Sequence, residues 1–290
     1  MNLLVAEKIF FKGQYIRVEC LPFGIYRLVF ARPAVRNAFS SIMIWEISHV
    51  LEQLKAISDF RLMRAIVFSA EGSAFSAGAD LNDMAALAQA TESENYQNAL
   101  LLAKMFRAVA SFPAPTLAVV QGAAVAGATG LLACLDHVVA APNAKFALPE
   151  VRLGLVAATI SPYLVRKLGA GHASSLMLTA RRLNAVQALD VGLVHEISEQ
   201  PGISALEKQL EVRVEEILMG APNAQRISKE LIIRVAPLPD DAFIEYTAQT
   251  LSRARSSVEG KDGLVAFFGH STPSWCAEFV QAKKKASEEV

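Results

Sequence analysis

The sequence is poor in the residues that build disulfide frameworks and metal sites. Its 290 residues include only 3 cysteines, Cys20, Cys134 and Cys276, which lie far apart and form no CxxC pair. The 5 histidines are scattered, and neither an HExxH motif nor a His/Cys cluster occurs. The sequence therefore predicts no metal site and no disulfide framework, and a reducing compartment such as the cytoplasm is expected.

Charge is also scarce, and it is balanced. Only 19% of the residues are charged, and the formal net charge is +0 at neutral pH. No stripe of lysine and arginine with interleaved aromatic residues occurs, so a nucleic-acid partner is not expected. Residues 116–135 carry no charge, but this run is rich in alanine and glycine and contains Gln121. A membrane helix needs about 20 strongly apolar residues, so the run fits a buried strand, a loop and a buried helix better.

Hydrophobic residues are abundant. They make up 53% of the chain, and the mean hydropathy is +0.32, which predicts either a very well buried core or extensive subunit contacts. Residues 1–200 show mixed patterns, whereas residues 201–290 show mainly helical ones, so we expect an α/β core followed by a helical region. Strands are predicted at 15–20, 25–30, 64–70, 117–121, 138–141 and 145–148, and helices at 41–57, 80–88, 95–110, 203–219, 222–235, 241–256 and 258–267.

Two familiar catalytic motifs occur only in incomplete form. Residues 74–78 (AFSAG) approach the nucleophile elbow G-x-S-x-G but lack its first glycine. Residues 125–130 (VAGATG) approach a dinucleotide fingerprint after a good strand, again without the first glycine. Both interpretations are weak for that reason.

Two loops of small residues share a physical logic. Residues 75–81 and 121–127 each follow a predicted strand and precede a predicted helix. Small side chains allow a ligand to approach the backbone, and the first N–H groups of a helix lack internal partners. Two such amides that converge on one oxygen form an oxyanion hole. From spacing alone, the interpretation that these small residues only permit tight packing of the two loops is favoured over an oxyanion hole.

The order of several segments resembles the enoyl-CoA hydratase/isomerase family, also called the crotonase superfamily. The similarity spans nearly the whole chain, and Asp136 matches the acidic residue that follows the third segment. The segments are residues 32–39 (RPAVRNAF), 75–81 (FSAGADL), 120–127 (VQGAAVAG), 146–154 (FALPEVRLG), 188–194 (ALDVGLV) and 257–267 (SVEGKDGLVAF).

This resemblance implies a fold, an assembly and a site. The fold would be a spiral of β-β-α repeats with a helical C-terminal trimerisation region, assembled as homotrimers or hexamers. The substrate would be an acyl-CoA thioester; coenzyme A is then part of the substrate, and no separate cofactor is expected. Glu150 would be the acid/base, with a raised pKa in its apolar neighbourhood. The N–H groups of Ala79 and Gly127 would form the oxyanion hole, and backbone around Arg36, Ala38, Ser76, Ala77, Asp80 and Leu81 would hold coenzyme A.

One departure from the family pattern bears on the reaction. Many hydratases carry a second glutamate three residues after the oxyanion-hole glycine, where this chain has Gly130. We expect Gly130 to be small because substrate or an ordered water occupies that volume. Residues 150–155 and 160–162 look similar to hydratases of branched, carboxylated enoyl-CoAs, such as methylglutaconyl-CoA or isohexenylglutaconyl-CoA. Hydration is therefore favoured, with double-bond isomerisation, decarboxylation and a non-catalytic acyl-CoA-binding role as alternatives.

Overall fold

The fold combines ten strands and ten helices over the residues that the computed structural model describes, which are 3–57, 62–220, 222–235 and 241–273. Cys276 and the rest of residues 274–290 lie outside this part of the chain. The strands are β1 (Lys8–Lys12), β2 (Ile16–Leu21), β3 (Ile25–Phe30), β4 (Ala65–Ala70), β5 (Thr116–Val120), β6 (Ala123–Val125), β7 (His137–Ala140), β8 (Lys145–Ala147), β9 (Leu183–Asn184) and β10 (Glu196–Ile197).

The helices lie between the strands and dominate the chain after β10. They are α1 (Ser41–Lys55), α2 (Leu81–Ala88), α3 (Glu92–Ala110), α4 (Gly127–Cys134), α5 (Ser161–Thr179), α6 (Ala185–Asp190), α7 (Ile203–Met219), α8 (Pro222–Val235), α9 (Asp241–Ser256) and α10 (Val258–Phe268). Every strand and helix predicted from the sequence is present, with ends shifted by no more than a few residues. The prediction did not include the short elements β1, β6, β9, β10 and α6. It also did not include α5, whose pattern is interrupted by Gly169, where the backbone φ is 73°.

Two sheets organise the core. The larger has the strand order β1-β2-β3-β4-β5-β7-β10, antiparallel through β3 and parallel from there on. The smaller has the order β6-β8-β9. Successive turns of the chain place one strand in each sheet before a helix, as in β5-β6-α4 and β7-β8-α5. This arrangement is the predicted spiral of β-β-α repeats.

Strand β4 shows why the centre of the larger sheet is buried on both faces. All of its residues are buried, because alternate side chains of a strand point to opposite faces and both faces are covered. Ile66 and Phe68 join the large cluster under α1 and α3. Ala65 and Val67 join a second cluster with Leu206, Leu210 and Val214 of α7. The first C-terminal helix is therefore part of the core packing.

The later C-terminal helices also pack on the α/β part. On α9, Ala248 and Leu251 are buried against Ala99 of α3, and the Ser252 hydroxyl donates to the Glu92 carbonyl oxygen at 2.6 Å. Lys229 of α8 forms an ion pair with Asp136, the acidic residue that precedes β7. Among the described residues, no helix is both long and apolar enough to cross a membrane.

Candidate active site

A largely apolar cavity of about 400 Å³ lies where the two small-residue loops meet the C-terminal helices. The loop after β4, the start of α4 and the residues after β8 form one side, and α2, α3, α9 and α10 form the other. Apart from Leu81 at the start of α2, the sequence analysis anticipated only the first side. The predicted site residues that line this cavity are Ala77, Ala79, Leu81, Gly127 and Glu150.

The two small-residue loops are joined directly to each other by backbone hydrogen bonds. The Ser76 N–H donates to the Ala123 carbonyl oxygen at 3.0 Å, and the Val125 N–H donates to the Ser76 carbonyl oxygen at 3.1 Å. Gly78 has a φ of 92°, and a Cβ there would lie 2.9 Å from the Val125 carbonyl oxygen. Glycine is required at position 78 for both reasons. Ala79 and Gly127 follow these contacting residues and are therefore close to each other.

The amide groups of Ala79 and Gly127 are free to act as donors. Gly127 is the first residue of α4, and helix-initial N–H groups have no partner within their own helix. No acceptor for either N–H is found among the described residues. Both residues line the cavity, so two unsatisfied donors border the same space. This is the arrangement that an oxyanion hole requires.

Ala126 holds the turn into α4 in an unfavourable backbone conformation. Its φ is 53° and its ψ is −122°, a region that residues other than glycine rarely adopt. Its N–H donates to the Ala147 carbonyl oxygen at 2.8 Å, and the Thr129 hydroxyl donates to the same oxygen at 3.1 Å. These contacts tie α4 to β8 and fix where Gly127 stands. Strain of this kind often occurs at functional sites.

Glu150 provides the ionisable group that faces the cavity. It opens a short 3-10 helix, Glu150–Leu153, immediately after Pro149 and the end of β8. Its Oε2 atom is buried, and no described residue donates a hydrogen bond to it. Burial disfavours the charged form and raises the pKa of Glu150 to about 7. The raised pKa predicted from the sequence is confirmed, and the carboxyl can both accept and return a proton near neutral pH.

The expectation for Gly130 is wrong in its physical reason. A Cβ at position 130 would lie 2.2 Å from Cγ2 of Ile160 and 2.6 Å from its Cβ. Ile160, rather than substrate or water, therefore fills the space beside Gly130, and Ile160 itself lines the cavity. An apolar side chain stands where a second carboxylate would have to fit.

The other predicted site residues, Arg36, Ala38, Ser76 and Asp80, lie outside the cavity lining, and the side chains of Ser76 and Asp80 support the loops. Ser76 is fully buried, and its hydroxyl accepts the Gly78 N–H at 3.2 Å, so the elbow-like motif presents no exposed nucleophile. Asp80 caps α2 and forms an ion pair with Arg32. Burial alone would raise the pKa of Asp80, but the hydrogen bonds from Arg32 and two backbone N–H groups lower it. The backbone contacts of Arg36 and Ala38 with coenzyme A remain a prediction.

One supporting residue that the sequence analysis missed is Asn37. It is fully buried with a φ of 53°, and its amide donates to the carbonyl oxygens of Glu71 at 2.8 Å and Ala74 at 2.9 Å. These bonds hold the loop that leads to Ala79. The positive φ could not be read from the sequence, although asparagine tolerates it better than most residues.

The far side of the cavity adds polar residues that no local motif indicated. Asp83 of α2, Asn98 of α3 and Arg255 of α9 all line it, and they are separated by up to 172 positions in the chain. Only the packing of α9 on α3 brings them together. No group of His, Cys, Asp and Glu side chains that could hold a metal ion is found in the part of the chain that the structure describes.

Comparisons with known proteins agree with this geometry. The profile of the enoyl-CoA hydratase/isomerase family matches residues 22–278. A Thermus thermophilus protein, provisionally named an enoyl-CoA hydratase, is 36% identical over 83% of this chain and 93% of its own length. An enoyl-CoA isomerase/hydratase of Mycosarcoma maydis is 33% identical over 72% of this chain and 77% of its own length.

Structural similarity extends over almost the same part of the chain. The crystal structure of an enoyl-CoA hydratase from Shewanella pealeana covers 90% of this chain and 96% of its own, with a TM-score of 0.72 and 35% sequence identity. The sequence segments, the spiral fold and the position of the cavity lead to the same assignment. The chain belongs to the enoyl-CoA hydratase/isomerase family of enzymes, the crotonase superfamily.

Proposed function

We propose that the enzyme hydrates an enoyl-CoA thioester and that Glu150 moves the protons. The observation that carries the proposal is the buried Oε2 atom of Glu150, which has no hydrogen-bond partner among the described residues and lies in the same cavity as two unsatisfied amide donors. A buried carboxyl oxygen left without a partner is costly in a folded protein. A substrate or water hydrogen that approaches Glu150 would satisfy it.

The reaction can be written with these groups alone. Ionised Glu150 takes a proton from water while the hydroxide oxygen bonds to C3 of the enoyl group. The C2–C3 double-bond electrons move toward the thioester oxygen, which becomes an enolate that accepts hydrogen bonds from Ala79 and Gly127. Protonated Glu150 then delivers its proton to C2. The enolate collapses to a 3-hydroxyacyl thioester, and the carboxylate is restored.

Isomerisation is the second candidate, and Ile160 favours it. Because Ile160 fills the space beside Gly130, the second glutamate of many hydratases has no place here. Moving a double bond requires one group that removes a proton and returns it to another carbon, which a single carboxyl can do. One carboxyl is also sufficient for the hydration steps above. The order of preference rests on the resemblance of residues 150–155 and 160–162 to single-glutamate hydratases.

The finer assignments belong to the same proposal. The acyl group that we favour is branched and carboxylated, as in methylglutaconyl-CoA or isohexenylglutaconyl-CoA.

Assembly into homotrimers or hexamers is supported by exposed apolar side chains on α8 and α10, including Leu231, Ile232 and Val258. We place the enzyme in the cytoplasm because the sequence has no disulfide framework.

A panel of enoyl-CoA thioesters with mass analysis of the products tests the reaction. The panel contains linear, branched and carboxylated members, incubated with the full-length protein. A gain of the mass of water on at least one member supports hydration. A change of retention at constant mass assigns isomerisation instead, and loss of carbon dioxide assigns decarboxylation. Absence of turnover on all members, with acyl-CoA still bound, would leave a binding protein and overturn the proposal.

A further inference from the structure

Arg255 places a positive charge on the side of the cavity that Asp83 and Asn98 also line. It lies near the end of α9 and lines the cavity together with Leu251 of the same helix. Although burial lowers the pKa of Arg255 to about 10, the side chain remains charged at neutral pH. A positive charge with little access to water is unfavourable unless something pairs with it.

A chain of hydrogen bonds orients this guanidinium without a direct contact to a carboxylate among the described residues. Arg255 Nη1 donates to Asn98 Oδ1 at 3.0 Å, the Asn98 amide donates to the Ser41 hydroxyl at 3.0 Å, and that hydroxyl donates to Asp83 Oδ2 at 2.7 Å. Asp83 Oδ2 also accepts the Ser41 N–H at 2.7 Å. The charge of Asp83 raises the pKa of Arg255, but Asp83 is hydrogen-bonded to Ser41, and no ion pair of Arg255 within 4.0 Å is found among the described residues.

The remaining donors of Arg255 stay available. A guanidinium has five N–H groups, and among the described residues a hydrogen-bond acceptor is found for only one nitrogen of Arg255, Nη1. None of its nitrogens belongs to the buried side-chain atoms that lack a partner, and Arg255 itself lines the cavity. The planar arrangement of such donors matches the two oxygens of a carboxylate.

We propose that Arg255 binds a carboxylate on the acyl group of the substrate, so that the enzyme takes CoA thioesters of dicarboxylic acids. This proposal rests on the proposed function, because it assumes that the thioester oxygen lies at Ala79 and Gly127. The acyl chain then extends through the apolar cavity toward α9. The carboxylate at its far end neutralises Arg255 and leaves Glu150 to the reaction.

The other cationic side chain of the cavity does not suit this role. Arg152 is exposed and lies at the rim, and its guanidinium approaches the Thr179 carbonyl oxygen at 3.5 Å. Bulk water screens a charge at that position, so Arg152 would distinguish poorly between charged and neutral acyl chains. Selectivity for a carboxylate is therefore assigned to Arg255.

Calorimetric binding of saturated thioesters tests the proposal without requiring turnover. The probes are glutaryl-, adipoyl- and suberyl-CoA, each compared with its own methyl monoester, which has a similar length and no charge. Wild type should bind at least one diacid thioester about 10- to 100-fold more tightly than its ester, as expected for hydrogen bonds to a charged group. Arg255→Met should reduce that ratio to about threefold or less.

Matched variants separate a specific contact from general effects. Arg253→Met removes a charge from the exposed side of the same helix and should keep the wild-type ratio. Arg255→Lys keeps the positive charge but loses the planar pair of donors, so it should give an intermediate ratio of acid to ester binding. It replaces Arg255→Met if that variant does not fold. Equal binding of acid and ester by wild type, or equal losses for both ligands in Arg255→Met, overturns the proposal.

The outcomes also distinguish this proposal from the hydration proposal. Selective binding of a diacid thioester, with no hydration of any enoyl-CoA, would keep the role of Arg255 and remove the proposed reaction. Hydration of neutral enoyl-CoAs, with no preference for a carboxylate in binding, would keep the reaction and remove the role of Arg255.

Discussion

At the scale of single residues, Glu150 combines two properties that a proton shuttle needs and that a stable fold avoids. Its pKa is raised to about 7 by burial, so roughly equal amounts of both forms exist at neutral pH. Its Oε2 atom has no donor within the described residues. The sequence indicated the role through the FALPEVRLG segment, and the apolar environment followed from the residues around it.

The raised pKa has a consequence for stability. The folded pKa of about 7 exceeds the ordinary value of 4.5, so the folded chain binds more protons than the unfolded chain between these pH values. The contribution of Glu150 to stability therefore falls as the pH rises through this window. Glu150→Gln should be more stable than wild type by about 2–3 kcal/mol at pH 8, with little difference near pH 4.5. Urea unfolding of both proteins at the two pH values measures this, and a difference that does not change with pH would contradict it.

Ala126 stores strain that a glycine would relieve. An alanine with φ 53° and ψ −122° costs about 1–3 kcal/mol, whereas glycine costs only about 0.5–1 kcal/mol of additional entropy in the unfolded chain. Ala126→Gly should therefore raise the free energy of unfolding by about 1 kcal/mol. The control is Ala128→Gly inside α4, two residues further along the chain, which should lower the free energy of unfolding by a similar amount. Thermal or urea unfolding gives both values, and destabilisation by Ala126→Gly would show that the turn is not strained.

At the scale of secondary-structure elements, the short motifs predicted where the two small-residue loops lie. They did not predict which residues from other elements pack against those loops. The uncharged run at 116–135 is strand, turn, strand and helix, and it needs no charge because β5, most of α4 and the centre of β6 are buried. What faces Gly130 was not predictable, since Ile160 comes from the residues before α5 and packing across elements leaves no local pattern. The side of the cavity formed by α9 and α10 was missed for the same reason.

Gly130 and Gly127 lie in the same helix and provide a matched pair of substitutions. Gly130→Ala would place a Cβ 2.6 Å from Cβ of Ile160, which is backbone-proximal and moves little, so we expect a loss of about 1–3 kcal/mol in stability. Gly127→Ala meets only ordinary contacts, the nearest at 3.6 Å from Phe106, and should be neutral or slightly stabilising.

The Ile160→Ala background provides the internal check on this pair. Removing the Ile160 side chain leaves space beside α4, so Gly130→Ala should cost much less there than in wild type. Unfolding free energies of the two single variants and the double variant form the cycle. Additive effects would mean that Ile160 is not what restricts position 130.

At the scale of the whole molecule, the C-terminal helices both line the cavity and form an exposed apolar surface. Leu251 and Arg255 of α9 and Leu264 and Phe267 of α10 complete the cavity around groups that belong to the spiral core. The outer faces of α8 and α10 expose large apolar side chains, among them Leu231, Ile232 and Val265. Such surfaces usually mark an interface. The composition of 53% hydrophobic residues is consistent with burial in both places.

The assembly prediction follows from these exposed faces. The protein should sediment as three or six copies of the 31.3-kDa chain at micromolar concentration. Analytical ultracentrifugation over a range of concentrations gives the mass. If Ile232→Glu or Val265→Glu lowers the mass of the assembly, the interface includes that residue. A monodisperse monomer for wild type would contradict the prediction and leave the apolar faces of α8 and α10 without an explanation.

The central claim is that Glu150 moves protons on a bound thioester whose oxygen is stabilised by backbone amides. The most direct measurement is single-turnover conversion of the thioester identified by the panel, by wild type and by Glu150→Gln. Glutamine keeps the shape of the side chain but cannot accept and return a proton, so the rate should fall by about 10²–10⁴-fold. Binding of a saturated acyl-CoA should remain within about threefold of wild type. A loss of less than about tenfold in the chemical step would contradict the assignment of Glu150 as the proton shuttle.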